Sequence, residues 1–419
     1  IVAIFGENGV ISRIVSLAGI AGPGTIYGLA GILLTHVFFN LPLTARLVTA
    51  GLDAMPAETH RLADMLAMPP LARFRLVEWP VIRAVLPAAA SLVFLLCLTS
   101  FAVTLTLGGG PRATTIEVAL YQALRFDLDF ALAVKLAAVE MAIAAVALVA
   151  LSLSGQPLPM GETLASGRRP YPLATRWVSR LLLVAVIGFV AAPLLAVVAA
   201  GLSALSTSML ADAAIWRALA TSLAVAVAAA IAALAVGGGL AAALAAHSPP
   251  PIATPLFAAF GSLTLVLPPM LLGAGWFLLL LPGGDPARYA AVVVIIANAL
   301  MAVPYVVRTM RAPIARSREQ HDHLASSLGI GRFDRLRLID GPMLARPLAA
   351  AALFAMLVSL GDFGAIALFG NEEFVTLPTL LYQRLGNYRS DDAAAIALIL
   401  LAAAAALTAA ASRLDREAF

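Results

Sequence analysis

The stretch RLADMLAMPPLARFRLVEWP, Arg61 to Pro80, recurs later in the chain as HLASSLGIGRFDRLRLIDGP, His323 to Pro342. The copies align without a gap at a constant offset, 323 − 61 = 262. Leu62/Leu324, Ala63/Ala325, Leu66/Leu328, Arg73/Arg335, Arg75/Arg337, Leu76/Leu338 and Pro80/Pro342 are identical pairs. Each copy is an arginine-rich segment between apolar stretches long enough to cross a membrane. That alternation decides the fold class.

The repeat reaches beyond the two segments. At the same offset of 262, Pro42 matches Pro304, Arg46 matches Arg308 and Gly108 matches Gly370. One residue then slips, and Thr115, Tyr121, Gln122 and Leu124 match Thr376, Tyr382, Gln383 and Leu385 at offset 261. The chain is therefore two similar halves, 1–153 and 178–419, joined by a polar linker, 154–177. Helices precede the second segment from about residue 178, so repeat symmetry (178 − 262 = −84) leads us to expect about 84 residues, with further helices, ahead of Ile1.

Composition agrees with a membrane solvent. Hydrophobic residues make up 62% and charged residues 12%, with a mean hydropathy of +0.96, far from soluble proteins at roughly 45–50% apolar and about 25% charged. The net charge of +4 lies between apolar spans, as an orientation signal does, and not in a phosphate-binding patch; nucleic acid is not an expected partner. The single Cys97 excludes an intrachain disulfide.

Nine apolar stretches are read as spans: 26–48, 84–107, 131–153, 178–201, 216–246, 254–281, 289–310, 347–370 and 392–412. They are too long and unbroken for barrel strands, so the expected fold is all-α, a polytopic helical bundle. Arg61, Arg73, Arg75 and Arg83, the group from Arg311 to Arg346, Arg168, Arg169 and Arg176 in the linker, and Arg413 and Arg416 all fall on one face by this count. The other face carries Asp127, Asp129, Asp212, Asp285, Glu372, Glu373, Asp391 and Asp392. The arginine face is cytoplasmic by the positive-inside rule. Both repeated segments then lie on that face, so the repeats are parallel, whereas inverted-repeat carriers place corresponding loops on opposite faces.

No G-x-x-x-x-G-K-[ST] phosphate loop occurs, and Lys135 is the only lysine. Neither an H-E-x-x-H pattern nor a nucleophile with a positioned base is present. His321 and His323 flank Asp322 without a third ligand nearby and read as a solvated loop. Within the spans, Glu140 reads as an inward-facing acid and Lys135 as a snorkelling cation. Asp362 lies deeper, in SLGDFGAIALFG, where the other half carries Ser100; it either lines a path or pairs with an arginine. In the outer loops VALYQALRFDLDF (118–130) and TLLYQRLGNYRSDD (379–392), the Tyr121-Gln122 and Tyr382-Gln383 pairs mark either a gate or docking surface, or short interfacial helices.

The repeated segments read as docking loops. Ala63 and Ala67, or Ala325 and Gly329, fall four apart, which would give a shallow helical face for another protein to grip. A plain solvated loop has no reason to keep a gap-free pattern in both halves.

These segments resemble the coupling loop of type I ATP-binding-cassette importer permeases, with its Glu-Ala-Ala, three residues, Gly signature and later Pro. The pattern falls on Arg61-Leu62-Ala63, Ala67 and Pro80, and on His323-Leu324-Ala325, Gly329 and Pro342; neither copy has the leading Glu. HRLADMLAMPPLARFRLVEWP and LGDFGAIALFGNEEFVTLPTLLYQRLGNYRSDDAAAIAL are similar to the fused thiamine/thiamine pyrophosphate permease family and, more distantly, to the fused ferric-iron permeases. The resemblance implies a two-half pore of the type I importer fold in a bacterial inner membrane. It implies two copies of a cytoplasmic ATP-binding subunit that carry ATP and Mg, a periplasmic substrate-binding protein, and no cofactor on this chain. Its ATPase contacts would be Arg61, Leu62, Ala63, Ala67, His323, Leu324, Ala325 and Gly329. Ferric iron, a polyamine or a sulfate-like anion would use the same architecture, and an ion-coupled carrier is the competing class.

Overall fold

A computed structural model describes residues 26–108, 113–153, 173–246, 269–371 and 374–416. Every regular element among them is helical. In the first half these are α1 (Leu29–Asp53), α2 (Ala57–Met65), α3 (Trp79–Leu98), α4 (Phe101–Leu107), α5 (Ile116–Arg125) and α6 (Phe130–Leu153). The second half has α7 (Leu173–Ala204), α8 (Ala213–Leu244), α9 (Pro269–Leu280) and α10 (Ala290–Ser327). It ends with α11 (Gly341–Gly361), α12 (Gly364–Phe369), α13 (Leu377–Gly386) and α14 (Ser390–Arg416). Eight helices among the described residues are long and apolar enough to cross a membrane, and α9 lies in a shorter apolar stretch. The expected span 254–281 is described only from 269, and residues 154–172 of the linker lie outside the described residues.

Two expected spans prove to be broken. The stretch 84–107 ends as α3 at Leu98 and resumes as α4 at Phe101, and 347–370 ends as α11 at Gly361 and resumes as α12 at Gly364. Thr99-Ser100 and Asp362 supply the reason, because short polar side chains compete for backbone groups and favour helix ends. Asp362 shows it directly: its Oδ1 accepts the Gly364 N–H at 3.1 Å and starts α12. Composition counted over a whole window averages such a break away.

The two repeated segments share a finer irregularity. Phe74–Glu78 and Leu336–Asp340 are π-helical turns at the same offset of 262, each leading into a long helix with proline at its start. Pro80 and Pro342 have no N–H for an i→i−4 bond, and the proline ring would strike the carbonyl four residues back. The wider turn relieves this, and Trp79 N–H donates instead to Phe74 O, five residues back. Upstream the halves differ. α10 runs unbroken through the position of the expected loop to Ser327, whereas the first half stops at Asp53 and restarts at Ala57. Pro56 stands where the second half has Arg318, and proline ends the helix.

By packing, the chain forms two compact units, one of residues 1–119 and 135–197, the other of 120–134 and 198–419. In the first, α1 lies against α3, close enough that a Cβ on Gly51 would fall 2.6 Å from Val85 Cγ2. The second is centred on α8, α10 and α11, whose Ala230, Ala233, Ala302, Val306, Ala351 and Ala355 form a buried cluster. Small residues let helix backbones approach in a membrane, where van der Waals packing replaces the hydrophobic drive. Gly237 marks a close approach of α8 to α10, since a Cβ there would lie 2.9 Å from Val306. At one end of this unit Arg384 bridges Asp212 and Asp392 at 2.7 and 3.2 Å, gathering the starts of α8 and α14. At the other end Arg318 donates to Ala242 O at 2.9 Å, joining α10 to the end of α8. In this unit the acids at the start of α8 and α14 and Arg318, ahead of the second arginine-rich loop, thus sit at opposite ends, as the charge pattern requires.

Candidate coupling loops and pathway residues

Each loop is built the same way. α2 closes with Ala67 in the left-handed conformation, φ +47°, and α10 with Gly329 at φ +64°. Met68 N–H donates to Ala63 O at 3.1 Å and Ala67 N–H to Asp64 O at 3.0 Å. Ile330 N–H donates to Ala325 O at 3.0 Å and Gly329 N–H to Ser326 O at 3.2 Å. This is the Schellman closure of a helix, and it explains why glycine suits the position.

An arginine then buckles each loop. Arg335 pairs with Asp322 at 2.5 Å and Asp340 at 3.2 Å. Its repeat equivalent Arg73 approaches His60 Nδ1 at 3.2 Å and Glu78 at 3.9 Å, and also pairs with Asp64 at 2.7 Å. His60 and Glu78 occupy the positions of Asp322 and Asp340 at offset 262. Burial disfavours the Arg335 charge, but the Asp322 and Asp340 carboxylates outweigh it and hold its pKa above the ordinary arginine value. The planar fork suits this task, binding the helix before the turn and the π turn after it at once. Nothing in the spacing alone singled out these arginines; their identity in both copies was the available sign.

The structure turns the expected gripping face around. Ala63 and Ala325 are 3% and 4% exposed, turned into their own chain, and Ala67 and Gly329 have left helical geometry, so neither pair forms an outward shallow face. Four-residue spacing places two side chains on one face without saying which way that face points. The exposed surface is apolar instead: Leu62, Met65 and Leu66 on the first loop, Leu324 and Leu328 on the second, all more than half exposed. Arg61 and His323 are exposed beside them.

The pathway candidates divide. Asp362 is buried in the break between α11 and α12, and its Oδ2 has no hydrogen-bond partner among the described residues. The adjoining Phe363 ring lies 5.3 Å from Tyr382. Tyr382 comes within electrostatic reach of Tyr121, whose hydroxyl is pushed up by burial, then by Tyr382, against a smaller opposite effect of Arg125. The structure thus brings the two repeat-related tyrosines together beside the helix break, and Arg125 donates to Gly370 O at 3.3 Å at the end of α12. Gln122 and Gln383 are exposed. His321 Nδ1 lies 3.1 Å from Ser317 O within α10, and no group of three metal-ligating side chains occurs among the described residues.

Residues 235–417, which include the second loop, match the family described as binding-protein-dependent transport system inner membrane components. Along almost its whole length the chain is similar to proteins named thiamine transport system permease protein. It is 46% identical over 398 residues to that of Brucella abortus, covering 94% of this chain and 73% of the relative. The Escherichia coli protein is 40% identical over 400 residues, covering 94% and 74%, and that of Haemophilus influenzae 37% over 406 residues, covering 94% and 74%. With eight apolar helices among the described residues, its repeated loops and these relatives, the chain belongs to the thiamine transport system permease family, inner-membrane components of binding-protein-dependent transport systems.

Proposed function

We propose that this chain is the translocation subunit of an ATP-binding-cassette importer that carries thiamine or its phosphate esters inward. The observation that supports it most directly is the pair of buckled loops. Two segments with one fold and one exposed apolar face are shaped to receive two copies of a partner, here an ATP-binding subunit that holds ATP and Mg. The chain has no phosphate-binding lysine loop of its own, so the free energy of hydrolysis arrives by contact. Leu62, Leu66, Leu324 and Leu328, with Arg61 and His323 beside them, enter clefts of those subunits, while Ala63, Ala325, Ala67 and Gly329 shape the loops from within. A periplasmic binding protein delivers the solute to the opposite face, and the Tyr121, Tyr382 and Asp362 cluster lines the path next to the broken helices. No cofactor is assigned to this chain.

Reconstitution in proteoliposomes with the ATP-binding subunit and candidate binding proteins tests this reading. ATP-dependent uptake of thiamine or thiamine pyrophosphate is expected, with ferric iron, putrescine and sulfate as controls. Uptake of a control solute instead of thiamine overturns the substrate, and uptake driven by a proton or sodium gradient without ATP overturns the importer class.

A further inference from the structure

Glu117, in the first turn of α5, and Glu140, in α6, are the two least exposed acids among the described residues, at 1% and 0%. Glu140 lies 140 − 130 = 10 residues into α6, about 15 Å along the helix axis and so near the midplane of a hydrocarbon layer about 30 Å thick. The two carboxyls adjoin one another. Among the described residues, none of their four oxygens receives a hydrogen bond from any other group, and the buried Thr115 hydroxyl, two residues before Glu117, is also without a partner. Lys135, on the same helix as Glu140, is exposed.

The second half shows that the architecture does not need this pair. Glu117 corresponds to Pro378 at offset 261. The outer turns realign the halves by one more residue, since Leu128 and Tyr388 (388 − 128 = 260) both have positive φ. Glu140 then corresponds to Leu400. Leu400 packs against an apolar cluster that includes Leu377, Leu380 and Ile396, and Thr376, the counterpart of Thr115, has Thr379 Oγ1 at 3.0 Å. One half solves this helix contact with hydrocarbon, and the other places two acids there.

Neighbouring buried carboxylates do not both ionise; they hold one proton and one negative charge between them. The remaining charge in an apolar layer costs several kcal/mol unless a cation meets it. We propose that Glu117 and Glu140 form an intramembrane site for a single positive charge, supplied by the transported solute or by an alkali cation. The solute source rests on the reading of the chain as a thiamine importer, because the thiazolium ring carries a permanent charge. Both carboxyls are closed from solvent in the conformation described, so the cation reaches the remaining carboxylate, beside the carboxyl that keeps its proton, when α5 and α6 part.

The test uses the full-length transporter with its ATP-binding subunits in nanodiscs, read by infrared difference spectroscopy in the protonated-carboxyl region. Thiamine, NaCl and KCl are added separately. The protonated-carboxyl band should shift with thiamine if the solute is the source, or with one of the salts if an alkali ion is. The change should be absent in Glu117→Gln and Glu140→Gln, and these variants should bind the effective cation about thirtyfold or more weakly, the scale for losing one member of a buried charge pair. Glu140→Leu, which copies Leu400, should keep the wild-type melting temperature and show that loss of binding is not loss of fold. If none of the three additions alters the band in the wild type, or the glutamine variants bind as the wild type does, the pair is a proton-sharing contact only and the proposal is overturned. A wild type that imports thiamine but shows no band change refutes the site alone. A wild type that does not import thiamine refutes the substrate reading, and the two salts then decide the site.

Discussion

Replacing Gly329 by alanine should loosen the second repeated loop, and replacing Ala67 by glycine should tighten the first, by similar amounts and with opposite sign. Gly329 sits at φ +64° and Ala67 at φ +47°. Nothing lies within 4 Å of a Cβ built on Gly329, so the substitution meets no clash and only the backbone term remains. A non-glycine residue in this region costs about 1–2 kcal/mol. Alanine recovers about 0.4–1 kcal/mol by restricting the unfolded chain, leaving a net near 1 kcal/mol. That is about a fivefold change in the local opening equilibrium, which amide exchange reads. The reporters are the closing donors, Ile330 N–H and Met68 N–H. In the assembled transporter, Gly329→Ala should speed exchange at Ile330 about fivefold and Ala67→Gly should slow it at Met68 to a similar extent. Shifts of the same sign in both variants, or no shift in either, would show that the turn conformation does not set loop stability.

Arg335→Lys should weaken association with the ATP-binding subunit, because a point charge cannot span Asp322 and Asp340 as the guanidinium does; once Asp322→Asn is present, the lysine variant should cost little more in a pull-down. Leu324→Asp should uncouple uptake from ATP hydrolysis with membrane expression unchanged, and Leu62→Asp should do the same through the first loop, since both leucines are more than half exposed; normal uptake in the double variant would remove the loops from coupling. Gly237→Val should lower the melting temperature by overpacking against Val306, at about 1–3 kcal/mol. Gly238→Ala and Gly239→Ala, which face open space, should be neutral or slightly stabilising in the same scan.

Much of this protein could be read along the chain, because lipid leaves few choices. Backbone groups without water must be satisfied internally, so a long apolar run is a helix wherever it sits. Charge asymmetry between loops sets its direction. The constant offset between Arg61–Pro80 and His323–Pro342 pointed to two parallel halves, whereas the π turns ahead of Pro80 and Pro342 emerged only in the structure. Four-residue spacing put Ala67 and Gly329 on a helical face, whereas the backbone places both in left-handed turns that end the helices.

Other features depend on which faces meet, and helical spacing does not encode that. Ala63 and Ala325 read equally well as outward or inward residues until packing buried them and left Leu62 and Leu324 exposed. Tyr121 and Tyr382 lie 261 residues apart in the chain, and only tertiary contact places them beside one another near the break at Asp362. Glu140 could be recognised alone as an expensive acid in a span, but Glu117, in a short and partly polar helix, gave no such sign. The sequence determines which groups must be satisfied, because that depends on the chemistry of each residue. Only the tertiary structure decides with which partner, because the partner is chosen by helix packing across long stretches of chain.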